Sequence, residues 1–268
     1  MRPPRYLQNV LVGASALVFA GAHFMPGRQD QSGPVLTAAV KFVSPKTSPA
    51  VEPEANGTLA AVQSAVVALG ASVTRLSNSK ALDAAFGSYY AYKATHAGEV
   101  RKPYLYFVDY GLPSTEPRGY VFDMESLQVV DGPFTVAHGR GSSTTQYGVP
   151  THFSNAANSY ATSLGLYVAQ STYDFHGHAG GAAYSSIGLR LQGVSSGFND
   201  NAAARRVVAH GAPYVTSSRA GRSEGCPAME PARAERLLPK LAQGGMVFLY
   251  APDENWLRSD PWIASAGT

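Results

Sequence analysis

The chain is short of cysteine: Cys226 stands alone among 268 residues. A lone thiol cannot close an intramolecular disulfide, so a disulfide-stapled scaffold is excluded. Thiolate zinc sites draw on two or more cysteines and are excluded with it. Charge is also scarce, at 15% Asp, Glu, Lys and Arg against 45% hydrophobic residues. A chain this apolar builds a core, which argues against global disorder. The net charge of +3 rests on no run of Lys or Arg. The electrostatic footprint of a nucleic-acid partner is therefore missing, and no nucleic acid is expected. An acidic polymer of the cell envelope stays compatible with the mildly basic balance.

Long apolar runs are missing too, except at the N-terminus. There Val10–Ala22 reads VLVGASALVFAGA behind Arg2 and Arg5, and Ala20-Gly21-Ala22 fits a small-x-small cleavage pattern. This is the layout of a secretory signal peptide, expected over 1–22. The run is shorter than the roughly 20 residues that cross a bilayer. Extending it over Leu7–Phe24 keeps an uncleaved signal anchor open, and a buried helix of the fold is the third reading. No cysteine adjoins the cleavage pattern, which excludes a lipoprotein anchor. The expectation is an exported protein of the periplasm or cell envelope, touching membrane only through this segment if it is uncleaved.

What is abundant is glycine, tyrosine and proline, with 27, 15 and 18 residues. Five prolines among Ser, Thr, Gln and Ala make 23–57 read as a flexible linker. Leu59, Val62, Val66, Leu69, Val73 and Leu76 then recur at spacings of three and four, the mark of an amphipathic helix. Ser77-Asn78-Ser79 breaks the pattern, with Ser79 as candidate cap for a second helix carrying Leu82, Ala85, Phe86 and Tyr89. Residues 58–97 are thus expected to form a helical hairpin, packed on the main domain rather than kept free for a partner. Strand signals follow at Tyr104–Tyr110, Gly119–Met124, Leu164–Ala169, Ile187–Leu191, Val207–Ala209 and Met246–Tyr250. Asp131-Gly132-Pro133, flanked by Val129-Val130 and Phe134–Ala137, predicts a hairpin turn. One late helix is expected after Glu230-Pro231, with Ala234, Leu237, Leu238 and Leu241 on one face and Pro239 kinking or ending it. The fold class is mainly β (α+β): a twisted β-sandwich or barrel-like domain over 98–258, with an N-terminal helical hairpin and a C-terminal tail over 259–268.

The chemistry centres on Gly221-Arg222-Ser223-Glu224-Gly225-Cys226-Pro227. Glycines on the N-terminal side of the cysteine let backbone approach a ligand closely. A free thiol has a pKa near 8.5, so a nucleophilic cysteine needs a base or a positive charge beside it. His210, ending the apolar strand Val207-Val208-Ala209 and followed by Gly211, is the candidate base, 16 residues before the cysteine. The amides of Gly225 and Cys226 are candidates to hold the oxyanion of a tetrahedral intermediate. The alternative is an inert buried cysteine beside a hydrogen-bonded core histidine.

His210-Gly211 followed by Ser223-x-Gly225-Cys226 resembles the murein L,D-transpeptidase (YkuD-type) signature, spacing included. The stretches VAHGRGSS (136–143), TSLGLY (162–167) and GRSEGCPAM (221–229) are similar to one branch of that family, and the likeness covers about residues 100–252. The resemblance implies a β-rich fold with the cysteine at a groove, no cofactor, and peptidoglycan stem peptides as partners. It implies attack on the bond between a diamino acid and D-alanine, an acyl-enzyme, and resolution by a second stem amine into a 3→3 cross-link. Water as acceptor would make the protein an L,D-carboxypeptidase. Matched residue by residue, Cys226 is the nucleophile, His210 the general base, and Ser223 and Gly225 shape the oxyanion loop. Two positions depart from the pattern: Glu224 stands where His, Lys or Arg is frequent, and Ala228 where Arg or Asn is. Arg222 then becomes the candidate carboxylate anchor, and Glu224 tends to raise the thiol's pKa unless it points away.

Gly211, His138 and Arg140 complete the candidate substrate-binding set, the last two as a second groove wall. His176-Gly177-His178 places two imidazoles on one side of an extended segment. With His138 or His210 they raise a zinc-peptidase alternative, but no carboxylate general base stands near them, and no metal is expected. Asn199-Asp200-Asn201 reads as a turn and cap. Tyr104, Tyr106, Tyr110, Tyr120 and Tyr167 read mostly as core or sheet-face residues. A non-catalytic cell-wall binding module of the same fold is the remaining alternative.

Overall fold

The computed structural model describes residues 52–266. The expected signal segment, and the linker up to residue 51, lie outside them. Two helices come first. α1 (Glu52–Gly70) begins ahead of the expected start at 58 and takes Pro53 into its first turn, where a missing N–H leaves no bond unmade. Val62, Ala65 and Leu69 form its buried stripe, while Leu59 is 44% exposed. Val73 and Leu76, expected to prolong the helix, follow its end and pack half-buried on the core from the connection. That connection is pinned to the sheet by Asp109, whose carboxylate accepts from Ser77 N (2.7 Å) and Ser77 Oγ (2.6 Å).

α2 (Ala81–Thr95) is not capped by Ser79, which falls one residue before the cap position Lys80. Asn78 does the work instead, its side chain accepting from Lys80 N at 2.8 Å and its carbonyl from Ala81 N at 3.1 Å. Leu82, Phe86, Tyr89 and Tyr92 are buried, and Phe86 meets Phe122 edge-on at 5.3 Å. Burying a side chain like Phe86 contributes about 1.5–3 kcal/mol. The hairpin therefore belongs to the core.

A mixed eight-stranded sheet carries the rest. At its centre β1 (Tyr104–Asp109) lies between the antiparallel β2 (Gly119–Asp123) and a parallel strand, Met246–Tyr250. Both YLYFVD and MVFLY read as continuous apolar runs, as strands covered on both faces do. β3 (Gln128–Phe134) runs straight through Asp131-Gly132-Pro133, so the hairpin turn predicted there is not formed. Val121 pairs with Asp131 and Gly119 with Phe134, a shifted register that makes an irregularity inside the strand. Gly132 sits in it with φ +136°, and a Cβ there would stand 2.6 Å from the Tyr120 ring. Gly-Pro marks bulges as well as turns, and here the bulge won. The real β2–β3 turn is at 124–127, where the Asp123 carboxylate accepts from Glu125 N and Ser126 N, both at 3.0 Å.

On the other side of the sheet, β5 (Gly165–Ala179) and β6 (Ala182–Gly193) form a long hairpin joined by Gly180-Gly181, both at positive φ. This is the two-residue turn that matches strand twist. β7 (Val208–Gly211) pairs with β6 and, at the sheet's edge, in parallel with a two-residue strand, Ala228–Met229. Between them in sequence come β8 (Val215–Thr216), β9 (Arg219–Ala220) and β10 (Arg222–Ser223), so the edge strand is β11. β10 pairs in parallel with β4 (His138–Gly139), and β8 with β9. α3 (Pro231–Leu241) buries Ala234, Leu237, Leu238 and Leu241 as expected, with Pro239 in its last turn. It leads into the central Met246–Tyr250, β12. Residues 259–268 were set apart as a tail. Of these, 261–265 form α5 after α4 (Glu254–Ser259), and Trp262 of α5 packs edge-on against Tyr92 at 4.7 Å. Among the described residues no helix is long and apolar enough to cross a membrane.

Candidate active site

The edge of the sheet sets the segment that follows Cys226 alongside the strand of His210. In β7 His210 pairs with Ala228 of β11, and its amide donates to Pro227 O at 3.4 Å, so Cys226 lies two residues before the partner of His210. The His210 ring is 2% exposed and stacks on Phe175 of β5 at 4.1 Å. Its Nδ1 lies 3.0 Å from Gly211 O. A carbonyl only accepts, so Nδ1 carries the proton and the neutral ring keeps its lone pair on Nε2. Burial pushes the imidazole down to about 4, so His210 is neutral near pH 7.

The thiol is pushed the other way. Burial raises Cys226 to about 11; an amide bond from Val208 and the charge of Arg205 oppose this, and Glu224 adds to it. The proton of Sγ points to Arg206 O at 3.9 Å. At rest, therefore, burial favours the protonated thiol at Cys226 and the neutral imidazole at His210.

Ser223 holds the loop between them. Its Oγ donates to Cys226 O (2.7 Å) and accepts from Gly225 N (3.2 Å). The Gly225 amide is thus occupied in this structure. The Cys226 amide makes no hydrogen bond to any described residue and stays free to meet an oxyanion. Gly225 has φ +119°, and a Cβ there would lie 2.9 Å from Ala161 O. Only glycine fits such a turn without strain.

β4 braces the loop from below. Ala137 N donates to Ala228 O at 2.8 Å and Arg140 N to Ser223 O at 2.7 Å, so residues 137–140 are stitched to both ends of it. Between those stitches His138, expected on the groove wall, is fully buried and offers no exposed atom to a ligand. The reason is Arg118, also fully buried, whose Nη2 lies 2.9 Å from His138 Nδ1. A guanidinium only donates, so the His138 proton sits on Nε2, which has no partner among the described residues. Burial and the Arg118 charge push His138 down to about 3.

Arg140 is exposed, stacked over Tyr160 at 3.6 Å and paired with Glu224 at 3.5 Å. Glu224 is turned to solvent by that pair, yet still raises the thiol slightly. Arg222 is half-buried and uses Nη1 on Ser143 O at 3.1 Å, leaving the rest of its fork uncommitted among the described residues. Gly211 lies against α3, where a Cβ would stand 2.9 Å from Pro231 Cα. His176 and His178 alternate with Phe175 and Gly177 and so project from the face of the hairpin opposite His210. The four histidines of the zinc alternative are not brought together. Among the described residues no group of three His, Cys, Asp or Glu is placed to hold a metal.

The sequence profile of the L,D-transpeptidase catalytic domain family matches residues 74–250. The chain belongs to that family. Solved structures similar to it include an L,D-transpeptidase from Mycobacterium smegmatis, at 15% identity and a TM-score of 0.33, over 56% of this chain and 59% of that one. Another, from Stackebrandtia nassauensis, has 14% identity and a TM-score of 0.34 over 74% of this chain and 89% of that one. A third, from Mycobacterium tuberculosis H37Rv, has 15% identity and a TM-score of 0.31 over 55% and 57%. The chain thus spans 59% of the length of the first of these. No curated protein matches it.

Three residues of this candidate site carry no reading from the sequence: Phe175 on the His210 ring, Arg118 behind His138, and Arg205 near the thiol. Phe175 was legible in principle, since Tyr173 and Phe175 alternate with Asp174 and His176. The two arginines carry no local signal, because a fully buried Arg118 and a half-buried Arg205 run against the ordinary placement of charge.

Proposed function

We propose that the chain is an exported peptidoglycan L,D-transpeptidase with Cys226 as nucleophile. His210 Nε2 takes the thiol proton as sulfur attacks the carbonyl carbon between a diamino acid and D-alanine. The oxyanion of the tetrahedral intermediate meets the Cys226 amide. The imidazolium returns the proton to the departing D-alanine nitrogen, leaving a thioester. An acceptor amine then attacks the thioester, loses its proton to His210, and releases Cys226. Arg222, with guanidinium N–H groups to spare, is assigned to the substrate carboxylate. Arg140, tied up by Glu224 and Tyr160, is the weaker anchor, and His138 acts from beneath the loop. The periplasm or cell envelope is the site of action, reached through the N-terminal segment.

The observation that carries this reading is the His210 ring. It is buried against Phe175, its Nδ1 proton is spent on Gly211 O, and it is paired through β11 to the segment bearing the only cysteine. Incubation with disaccharide-tetrapeptide followed by mass spectrometry tests it. Native protein should show a thioester adduct on Cys226 and cross-linked dimer, and Cys226→Ala should show neither. Tripeptide alone would mean water is the acceptor. An adduct surviving in Cys226→Ala would sink the assignment.

A further inference from the structure

Arg205 lies in the turn that precedes β7, its amide donating to Asn201 O at 2.9 Å. Its guanidinium crosses to the 154–163 segment. Nη1 donates to Ser154 O (2.7 Å) and to Ser163 Oγ; Nη2 donates to Ser159 Oγ (3.0 Å) and Ala161 O (2.8 Å). All four Nη hydrogens are thereby committed, so this fork is not free to grip a substrate carboxylate bidentately. The Gly225 turn rests against the same group: a Cβ at 225 would stand 3.5 Å from Arg205 Nη2. The next residue along is Cys226, and the residue after Arg205 supplies the carbonyl that faces Sγ.

Arg140, Arg206 and Arg222 are further cations of this neighbourhood, but none of them is felt at the thiol as Arg205 is, and the remaining groups are neutral or negative. His210 is buried and neutral. Glu224, on the cysteine's own loop, is negative. Tyr110 after β1, Tyr173 and Tyr184 of the β5–β6 hairpin, and Tyr214 beyond β7 all lie within electrostatic reach of Cys226, and burial keeps each phenol protonated. Arg205 is the cation whose field lowers the thiol.

We propose that Arg205 is a positioning residue for Cys226: it locks the Gly225 turn onto the 154–163 segment and supplies the positive charge that favours the thiolate. This rests on the reading that Cys226 reacts as a nucleophile, but its test needs no turnover.

The test is the pH profile of Cys226 alkylation by iodoacetamide, read by mass spectrometry on the full chain, for native protein, Arg205→Gln and Arg205→Lys. Circular dichroism checks that each is folded. The two possible roles move the profile in opposite directions. Losing a nearby opposite charge raises the thiol's midpoint and slows alkylation at pH 8 about tenfold. Losing only a loop fastener admits water to the thiol, lowers the midpoint towards the ordinary value and speeds alkylation. Slowing in Arg205→Gln, with the lysine variant within about threefold of native, is the expected result. Unchanged or faster alkylation in Arg205→Gln overturns the proposal. Should the glutamine variant not fold, Arg205→Lys decides: its charge keeps the midpoint, and a fall to the free-cysteine value of about 8.5 overturns the proposal. If native protein yields no product from tetrapeptide, the transpeptidase reading fails while this comparison still stands.

Discussion

A thiol pushed up to about 11 and an imidazole pushed down to about 4 by burial both favour their neutral forms at rest. Burial disfavours the thiolate and the imidazolium alike, and only the attraction between the two charges would oppose it. The perturbation to apply is pH, with and without His210→Gln. Iodoacetamide reacts with thiolate alone. Its rate with Cys226 should climb tenfold per pH unit from 6 to 10, with no plateau at low pH. At pH 7.5 it should be about three-hundredfold slower than for a free cysteine near 8.5, since burial raises the thiol to about 11. The His210→Gln variant should keep nearly the same alkylation profile, because no imidazolium supports the thiolate at rest. Acylation by tetrapeptide should behave otherwise. It needs neutral His210, so kcat/KM should hold level from pH 8 down to about 5 and fall only as the ring protonates near 4. His210→Gln should lower it by roughly 10²–10⁴-fold, the worth of a general base. A reactivity plateau between pH 5 and 8, lost in His210→Gln, would reveal a resting ion pair and refute the burial argument.

Two further outcomes follow from the same geometry. Gly225→Ala places a Cβ 2.9 Å from Ala161 O at φ +119°, and strain of this kind costs about 1–3 kcal/mol; calorimetry should show a lowered melting temperature with acylation lost, and a variant that melts and acylates like native protein would contradict the turn's role. His138 and His210 are both held far below 6.5 by burial, so the unfolded chain binds protons that the folded chain refuses. Their contribution is complete above pH 6.5 and drains away as pH falls, so the melting temperature should drop between pH 6.5 and 5 with proton uptake on unfolding; a flat profile there would mean that these rings are not neutral in the fold.

Some of this was readable from residues alone. β1, β2, β12 and α3 declared themselves because their burial is uniform or strictly periodic, and Cys226 with His210 because glycines and a strand end framed them. The outer half of the β5–β6 hairpin was not read. Its inward positions alternate rings with glycine, Gly177 leaving room for Tyr184 and Gly188 for Tyr173, and a glycine in place of an apolar residue erases the period-two signal. β3 was divided at Gly132-Pro133 because the local preference for a turn is real, and only pairing with β2 across the sheet overrides it. Arg118 reaches Val136, 18 positions away, and Arg205 reaches Ser154, 51 positions away. No short window contains both ends of such a contact.

Arg205 also bears on where charge stands around the proposed nucleophile. A histidine, lysine or arginine before Gly225 would bring a cation along the cysteine's own loop. Here Glu224 occupies that place and is drawn outward by Arg140 on Tyr160. Under the proposal for Arg205, the positive charge enters instead from the turn before β7, through a guanidinium held by four oxygens. A cation held by the scaffold keeps its place when Glu224 and Arg140 part for a ligand. Under the proposed mechanism the mouth of the groove is then free to vary in charge, while the field at the thiol is set from behind.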